Sequence, residues 1–208
     1  MHRRTALSVS AALLAAAPLL SACSGGAHPG TAAVVGGERI TTSALQAQVN
    51  DVRAAQNRTG GAAAQLIQSS PGLERVKLNK MLQAAVLERA AKDAGITVSR
   101  RELEEFRDEQ LQRAGGAERL EASALEQAYL APGQVEADLR FKLLRDRLFA
   151  HYGSETKAVE QLASAAKDLH IEVNPRYGVW DAQQIILGDQ VTPWVTQRTR
   201  PGTAPAGA

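Results

Sequence analysis

The fold of the chain turns on Ala33-Val34-Val35-Gly36-Gly37-Glu38-Arg39-Ile40-Thr41. Two short runs, Ala33 to Val35 and Glu38 to Ile40, flank a Gly-Gly pair, the composition of a two-residue hairpin turn. Thr41 is then placed as the N-cap of a helix, with Ile40 set to staple onto Leu45; Ser43-Ala44-Leu45-Gln46 is a second capping pattern in the same place. Leu45, Val49, Val52 and Gln56 follow near helical spacing, three of them apolar and on one face. Asn57-Arg58-Thr59 has the spacing of a glycosylation acceptor but reads as a solvated helix end, and Gly60-Gly61 breaks the helix.

Downstream the chain is a succession of helices. Pro71-Gly72 opens the second, which runs to about Ala94 and is closed by Gly95. Its apolar stripe is Leu78, Met81, Leu82, Ala85, Val86 and Ala90, with Lys77, Lys80, Glu88 and Lys92 placed mostly outside it. Ile96 to Val98 is an extended link. Ser99-Arg100-Arg101-Glu102 is a capping box with Val98 and Leu103 as its staple, and Leu103, Phe106 and Leu111 are the inward residues of the third helix. Gly115-Gly116 ends that helix, a fourth covers Ala117 to about Leu130, and Pro132 begins a fifth that reaches Phe149. The fifth carries two adjacent stripes, Leu139 with Leu143 and Phe141 with Leu144 and Leu148. Ser154 is placed as the cap of a sixth helix with Val159, Leu162, Ala163 and Ala166. Ile171 to Val173 and Ile185 to Leu187 are late strands.

Upstream lies an export signal. His2, Arg3 and Arg4 are a positive start, Ala11 to Leu20 an apolar run, and small residues close the segment. The run is too short for a spanning helix, which needs about 20 apolar residues. Leu20-Ser21-Ala22-Cys23 resembles a bacterial lipobox at all four positions, which implies cleavage between Ala22 and Cys23 and a lipid, palmitate among its acyl chains, on Cys23. The competing reading is an ordinary secretory signal with an incidental thiol. Two acyl chains anchor a protein stably where one does not, so the lipidated chain is expected on the outer face of the bacterial cell membrane. Export by the general or the twin-arginine route stays open, since Arg3-Arg4 is followed at a fitting distance only by Leu7. Ser24 to Thr31 is rich in Gly and small residues.

Composition narrows the partners. Of 24 Lys and Arg, two are Arg3 and Arg4, so processing leaves 22 against 22 Asp and Glu. A neutral chain has no basic excess for nucleic acid or anionic surfaces. Cys23 is the single cysteine, which leaves no disulfide, redox couple or thiol nucleophile once it is lipidated. Only 4% of residues are aromatic while 44% are hydrophobic, so the core rests on Leu, Val, Ile and Ala, a balance that suits packed helices.

These pieces together resemble the N-terminal domain of SurA-type chaperones. Val34-Val35-Gly36-Gly37-Glu38-Arg39-Ile40-Thr41 and its helix are similar to that domain's start, and Ala94-Gly95-Ile96-Thr97-Val98-Ser99 to the link between its long and next helices. His170-Ile171-Glu172-Val173-Asn174-Pro175-Arg176-Tyr177-Gly178-Val179-Trp180-Asp181 is similar to the closing segment of such proteins. The resemblance covers about residues 33–181 and implies an extracytoplasmic chaperone that holds unfolded exported chains. One departure is large. Many relatives insert parvulin-type prolyl isomerase domains of roughly a hundred residues before the closing segment; here only about 20 residues separate Phe149 from Leu169. Isomerase activity is therefore not carried over.

Other constellations have simpler explanations. His28, His151 and His170 form no i, i+4 ligand pair, and His170 is read as a surface or C-cap residue. Ser154 beside Glu155 and His151 lacks a nucleophile elbow, and capping explains it. Glu102-Leu103-Glu104-Glu105 sits where acids favourably face a helix dipole. No P-loop, dinucleotide fingerprint or zinc spacing occurs. Trp180 is placed as packing for the late segment, with Trp194 beyond it.

The resulting expectation is a mainly helical chaperone-like domain with a small two- or three-stranded sheet joining N-terminal and late segments. Its parts are a signal peptide at 1–22, a flexible tether at 23–32, the helical domain at 33–190 and a disordered tail at 191–208. The function expected is an ATP-independent holdase, not an enzyme, with unfolded or exported polypeptides and the membrane as partners and no cofactor, metal or nucleic acid. Met81, Phe106, Tyr129 and Phe141 are candidates for client binding, each competing with a plain core role. A lipoprotein subunit docking on an envelope complex is the alternative.

Overall fold

In the computed structural model, which describes residues 29–189, Thr31–Val35 (β1) and Glu38–Thr41 (β2) pair as an antiparallel hairpin, with Val35 opposite Glu38. Gly36 and Gly37 turn at φ of 58° and 84°, the left-handed conformation that a two-residue hairpin demands of both positions. Gly36 has a second constraint: its N–H donates to the Leu169 carbonyl at 2.7 Å, and a Cβ there would stand 3.1 Å from the Leu169 side chain. Glu172–Val173 (β3) pairs antiparallel with the other edge of β1, Ala33 opposite Val173, so the N-terminal strand is the centre of a three-stranded sheet ordered β2-β1-β3. Asn174 extends the ladder, its N–H donating to the Ala32 carbonyl and its Nδ2 to the Thr31 carbonyl.

Thr31 and Ala32 are a correction to the tether placed at 23–32. They are 5% and 0% exposed and begin β1, because the ladder with β2 and β3 reaches back to them. The expected lipidation and cleavage at Ala22 and Cys23, the signal segment, the tail at 191–208 and Trp194 lie outside the described residues.

Seven α-helices follow among the described residues: Thr42–Asn57 (α1), Ala63–Gln68 (α2), Leu73–Asp93 (α3), Arg100–Ala114 (α4), Ala117–Ala128 (α5), Val135–Tyr152 (α6) and Glu155–Asp168 (α7). Thr41 caps α1, its Oγ1 accepting from the Ala44 N–H at 3.0 Å. Gly95, at φ 67°, stops α3; its N–H returns to the Lys92 carbonyl and that of Ile96 to the Ala91 carbonyl, the paired bonds of a Schellman end. The Ser99 box caps α4 as expected, Ser99 N–H donating to Glu102 Oε2 at 2.8 Å. Ser154 does stand at the start of α7, yet its side chain makes no capping bond.

The helix α2 was not foreseen. It is short and buries no residue; what fixes it is polar. Gln56, fully buried on α1, donates through Nε2 to the Leu66 carbonyl and to Ser70 Oγ, while Arg53 donates to Gln56 Oε1, Ser70 Oγ and the Ser70 carbonyl. A buried amide with such partners is satisfied rather than costly.

The core is three adjoining clusters strung along α3. Leu45, Leu78 and Leu82 pack with β1, Tyr177 and Leu187; Val86, Leu87, Ala90 and Ala91 pack with Val98, Leu144, Leu148, Ala165 and Ala166; and Val49, Val52, Ala55, Leu73, Leu125 and Ala131 form the third. Val179–Asp181 (β4) and Ile186–Gly188 (β5) form a separate hairpin, so the late strand at Ile185 to Leu187 pairs with β4 and not with the sheet. Trp180 and Leu187 turn to the core as the opposed inner pair, while Val179 and Ile186 on the outer face are 57% and 44% exposed.

Candidate functional site

Two residues singled out from the sequence meet in one place. Met81 on α3 and Phe141 on α6 are half-buried and line a cleft of about 280 Å³, with Ala84, Ala137 and Leu130 completing its apolar walls. Pro132-Gly133-Gln134 closes one side as a turn of 3₁₀ helix before α6. The volume suits one or two side chains rather than a large cofactor, since sites for such groups start at about 300 Å³.

The polar part of the cleft was not foreseen, and Lys77 is its centre. Placed outside the apolar stripe by the sequence reading, Lys77 is 3% exposed. Leu73, Lys77 and Met81 stand four residues apart along α3, so Lys77 lies between a buried leucine and a half-buried methionine, which spacing hints at without deciding. Its Nζ donates to Gln134 Oε1 at 2.5 Å. Gln134 in turn donates to the Gln48 carbonyl of α1 at 3.0 Å and accepts from the Ala131 N–H, which ties the closing turn to both helices. Burial, and next the positive Lys80 one turn away, push the Lys77 ammonium down to about 8, against weaker opposing pulls from Asp138 and Asp51. Asp138 is already engaged, with Lys142 at 2.8 Å and Lys80 at 3.4 Å.

The other two sequence candidates lie elsewhere. Tyr129 takes a left-handed backbone (φ 53°) at the end of α5, packs against the third core cluster and donates its hydroxyl to the Ser69 carbonyl at 2.8 Å. It supports the cleft only through its neighbour Leu130. Phe106 is half-buried on α4 and lines no part of the cleft. Beside α4 is a second hollow of about 370 Å³, lined by Arg100, Leu103, Glu104, Arg107 and Glu136; its walls are mostly charged.

The link before α4 is fastened to α6 by two arginines. Arg140 donates to the Val98 carbonyl at 3.2 Å. Arg147 donates to the Thr97 carbonyl and, through both terminal nitrogens, to the two oxygens of Glu102 at 3.1 and 2.5 Å. The Arg147 hydrogen bonds, followed by those from Ser99, hold the Glu102 carboxyl down at about 2. The guanidinium is raised in return. This fork also occupies Glu102, the acid at the head of the carboxylate cluster, and no group of three potential metal ligands exists among the described residues.

No helix among the described residues is long and apolar enough to cross a membrane. Searches of curated proteins and of solved structures returned no significant match. A family model of the SurA-like N-terminal domain matches residues 4–149, which takes in the hairpin, the helices α1 to α5 and most of α6, the cleft included. The expected resemblance is thereby met over more than half of the chain, which belongs to the family of SurA-like N-terminal domains.

Proposed function

We propose that the protein is a membrane-anchored, ATP-independent holdase for exported polypeptides, without prolyl isomerase activity, and that the cleft between α3 and α6 is where it engages them. Membership of a chaperone-type, extracytoplasmic domain family is the support for the class of function. The observation that carries the site is the meeting of Met81 and Phe141 in a small, mostly apolar cleft. Such a cleft takes an apolar side chain of an unfolded chain, and methionine adapts its shape to different occupants. The gain from burying one or two side chains is offset by ordering both partners, so binding is weak and reversible, as a holdase requires. The complete Leu20-Ser21-Ala22-Cys23 motif supports the anchor, and the short Phe149 to Leu169 interval supports the lack of an isomerase.

The docking-subunit reading has one feature in its favour: Val179 and Ile186 make a compact apolar patch on the outer face of the β4–β5 hairpin. Light scattering of a denatured test protein separates the two. The holdase reading expects aggregation to fall as the protein is titrated in without ATP, a reduced effect for Met81→Glu, and no acceleration of a proline-limited refolding phase. Unchanged aggregation at molar excess supports docking instead. For the anchor, mass spectrometry of the mature protein is expected to show an acyl increment that Cys23→Ser lacks; an unmodified Cys23 thiol in mature protein sinks that part.

A further inference from the structure

The cleft has a charge that the fold leaves unanswered. Lys77 is buried, and among the described residues its one hydrogen bond goes to the neutral amide of Gln134, with no carboxylate paired to it. An ammonium carries three N–H donors, so two remain for a ligand. Burying a charge without a counter-charge is costly, and a chain with no use for it does better with an apolar residue of similar length. Asp138 and Asp51 pull on it only weakly and neither pairs with it; Asp138 is already held by Lys80 and Lys142.

We propose that the cleft is a receptor for the C-terminal residue of a polypeptide, its terminal carboxylate pairing with Lys77 and its apolar side chain lying against Met81 and Phe141. This rests on the reading of the cleft as the client site. The spacing selects the ligand. Lys77 and Met81 are i and i+4 on α3, with Cβ atoms about 5–6 Å apart. A terminal residue carries its carboxylate and its side chain on one Cα, so it presents an anion and an apolar group together to that one face. An internal Asp or Glu in an extended chain points away from the apolar residue beside it, because successive side chains alternate. The walls argue against a free fatty acid: the side-chain amide of Gln48 also lines the cleft, where it suits peptide N–H and C=O groups and would be left facing hydrocarbon by an acyl chain.

The test uses the full chain and a fluorescein-labelled hexapeptide ending in Ala-Phe, as the free acid and as the C-terminal amide, read by anisotropy. The acid is expected to bind at least tenfold tighter than the amide. Lys77→Met, shown to be folded by circular dichroism, is expected to abolish the preference, so that the variant binds acid and amide equally. Equal binding of acid and amide to the wild-type chain overturns the proposal without recourse to any variant. So does decanoate binding as tightly as the peptide acid. Aggregation suppression is scored separately: suppression with no preference for the acid leaves the holdase reading standing and removes this one, and a preference for the acid without suppression does the reverse.

Discussion

The helices α3 and α4 are successive, similar in amphipathic pattern and opposite in how the molecule uses them. Eight residues of α3 are buried, and all three core clusters touch it. None of α4 is buried. Its Leu103, Phe106 and Leu111 are half-covered, and the firm attachment lies at its first turn, where Ser99, Glu102, Arg147 and Arg140 form a polar clasp. An apolar stripe therefore states only what a helix is able to bury. Local stability follows the contacts made, so α4 belongs to the low-stability end of the molecule and α3 to the high end.

A matched pair of truncations separates the two helices most strongly. Leu82→Ala on α3, at a fully buried site, is expected to cost about 3–4 kcal/mol in urea unfolding, from lost transfer energy and the cavity left behind. Phe106→Ala on α4 is expected to cost about 1 kcal/mol, since the ring is already partly in water. Equal costs would mean that α4 is as much a part of the core as α3.

Lys77 tests α3 from the polar side. Its folded value of about 8 lies below the ordinary 10.5, so between these values the unfolded chain holds more protons and the stability of the wild type rises with pH. Below about 8 the folded protein carries the full cost of a buried ammonium, at most about 3 kcal/mol from the size of the depression. Lys77→Met is therefore expected to be more stable than wild type at pH 7, with the gap closing as pH climbs toward 10.5. Denaturant midpoints at pH 7, 9 and 10 check this; a less stable variant at pH 7 would show that the Gln134 bond outweighs desolvation.

The smallest effect is expected at the clasp. With its carboxyl depressed to about 2, Glu102 contributes stability that is present above the ordinary carboxylate value and is lost as pH falls through 2. Arg147→Ala removes the largest cause of that depression, so the loss moves to higher pH. Hydrogen exchange is expected to quicken at residues 97–105 and to stay unchanged in the buried centre of α3. Equal acceleration in both would tie α4 to the core after all.

Legibility in the sequence followed the range of the interactions. The hairpin at Gly36-Gly37, the Thr41 and Ser99 caps and the Gly95 stop are all built from residues within five positions of one another, and each was readable from the chain. The helix α2 was missed because its partners, Gln56 and Arg53, lie on another helix and hold it by polar bonds that leave no hydrophobic period. At the cleft, Met81 and Phe141 were readable as large apolar residues, but their meeting and the Gln134 contact were not. Phe106 and Tyr129 had the same composition signal and went elsewhere.

The mainly helical class, the first hairpin and most of the helices were legible in the chain, because turn, cap and periodicity are local signals. Which lysine is buried and which apolar residues share a cleft were settled only by how the helices pack. Those outcomes depend on the separation and rotation of α3 and α6 and on the path of residues 130–134, distances between elements far apart in the chain that no local preference encodes.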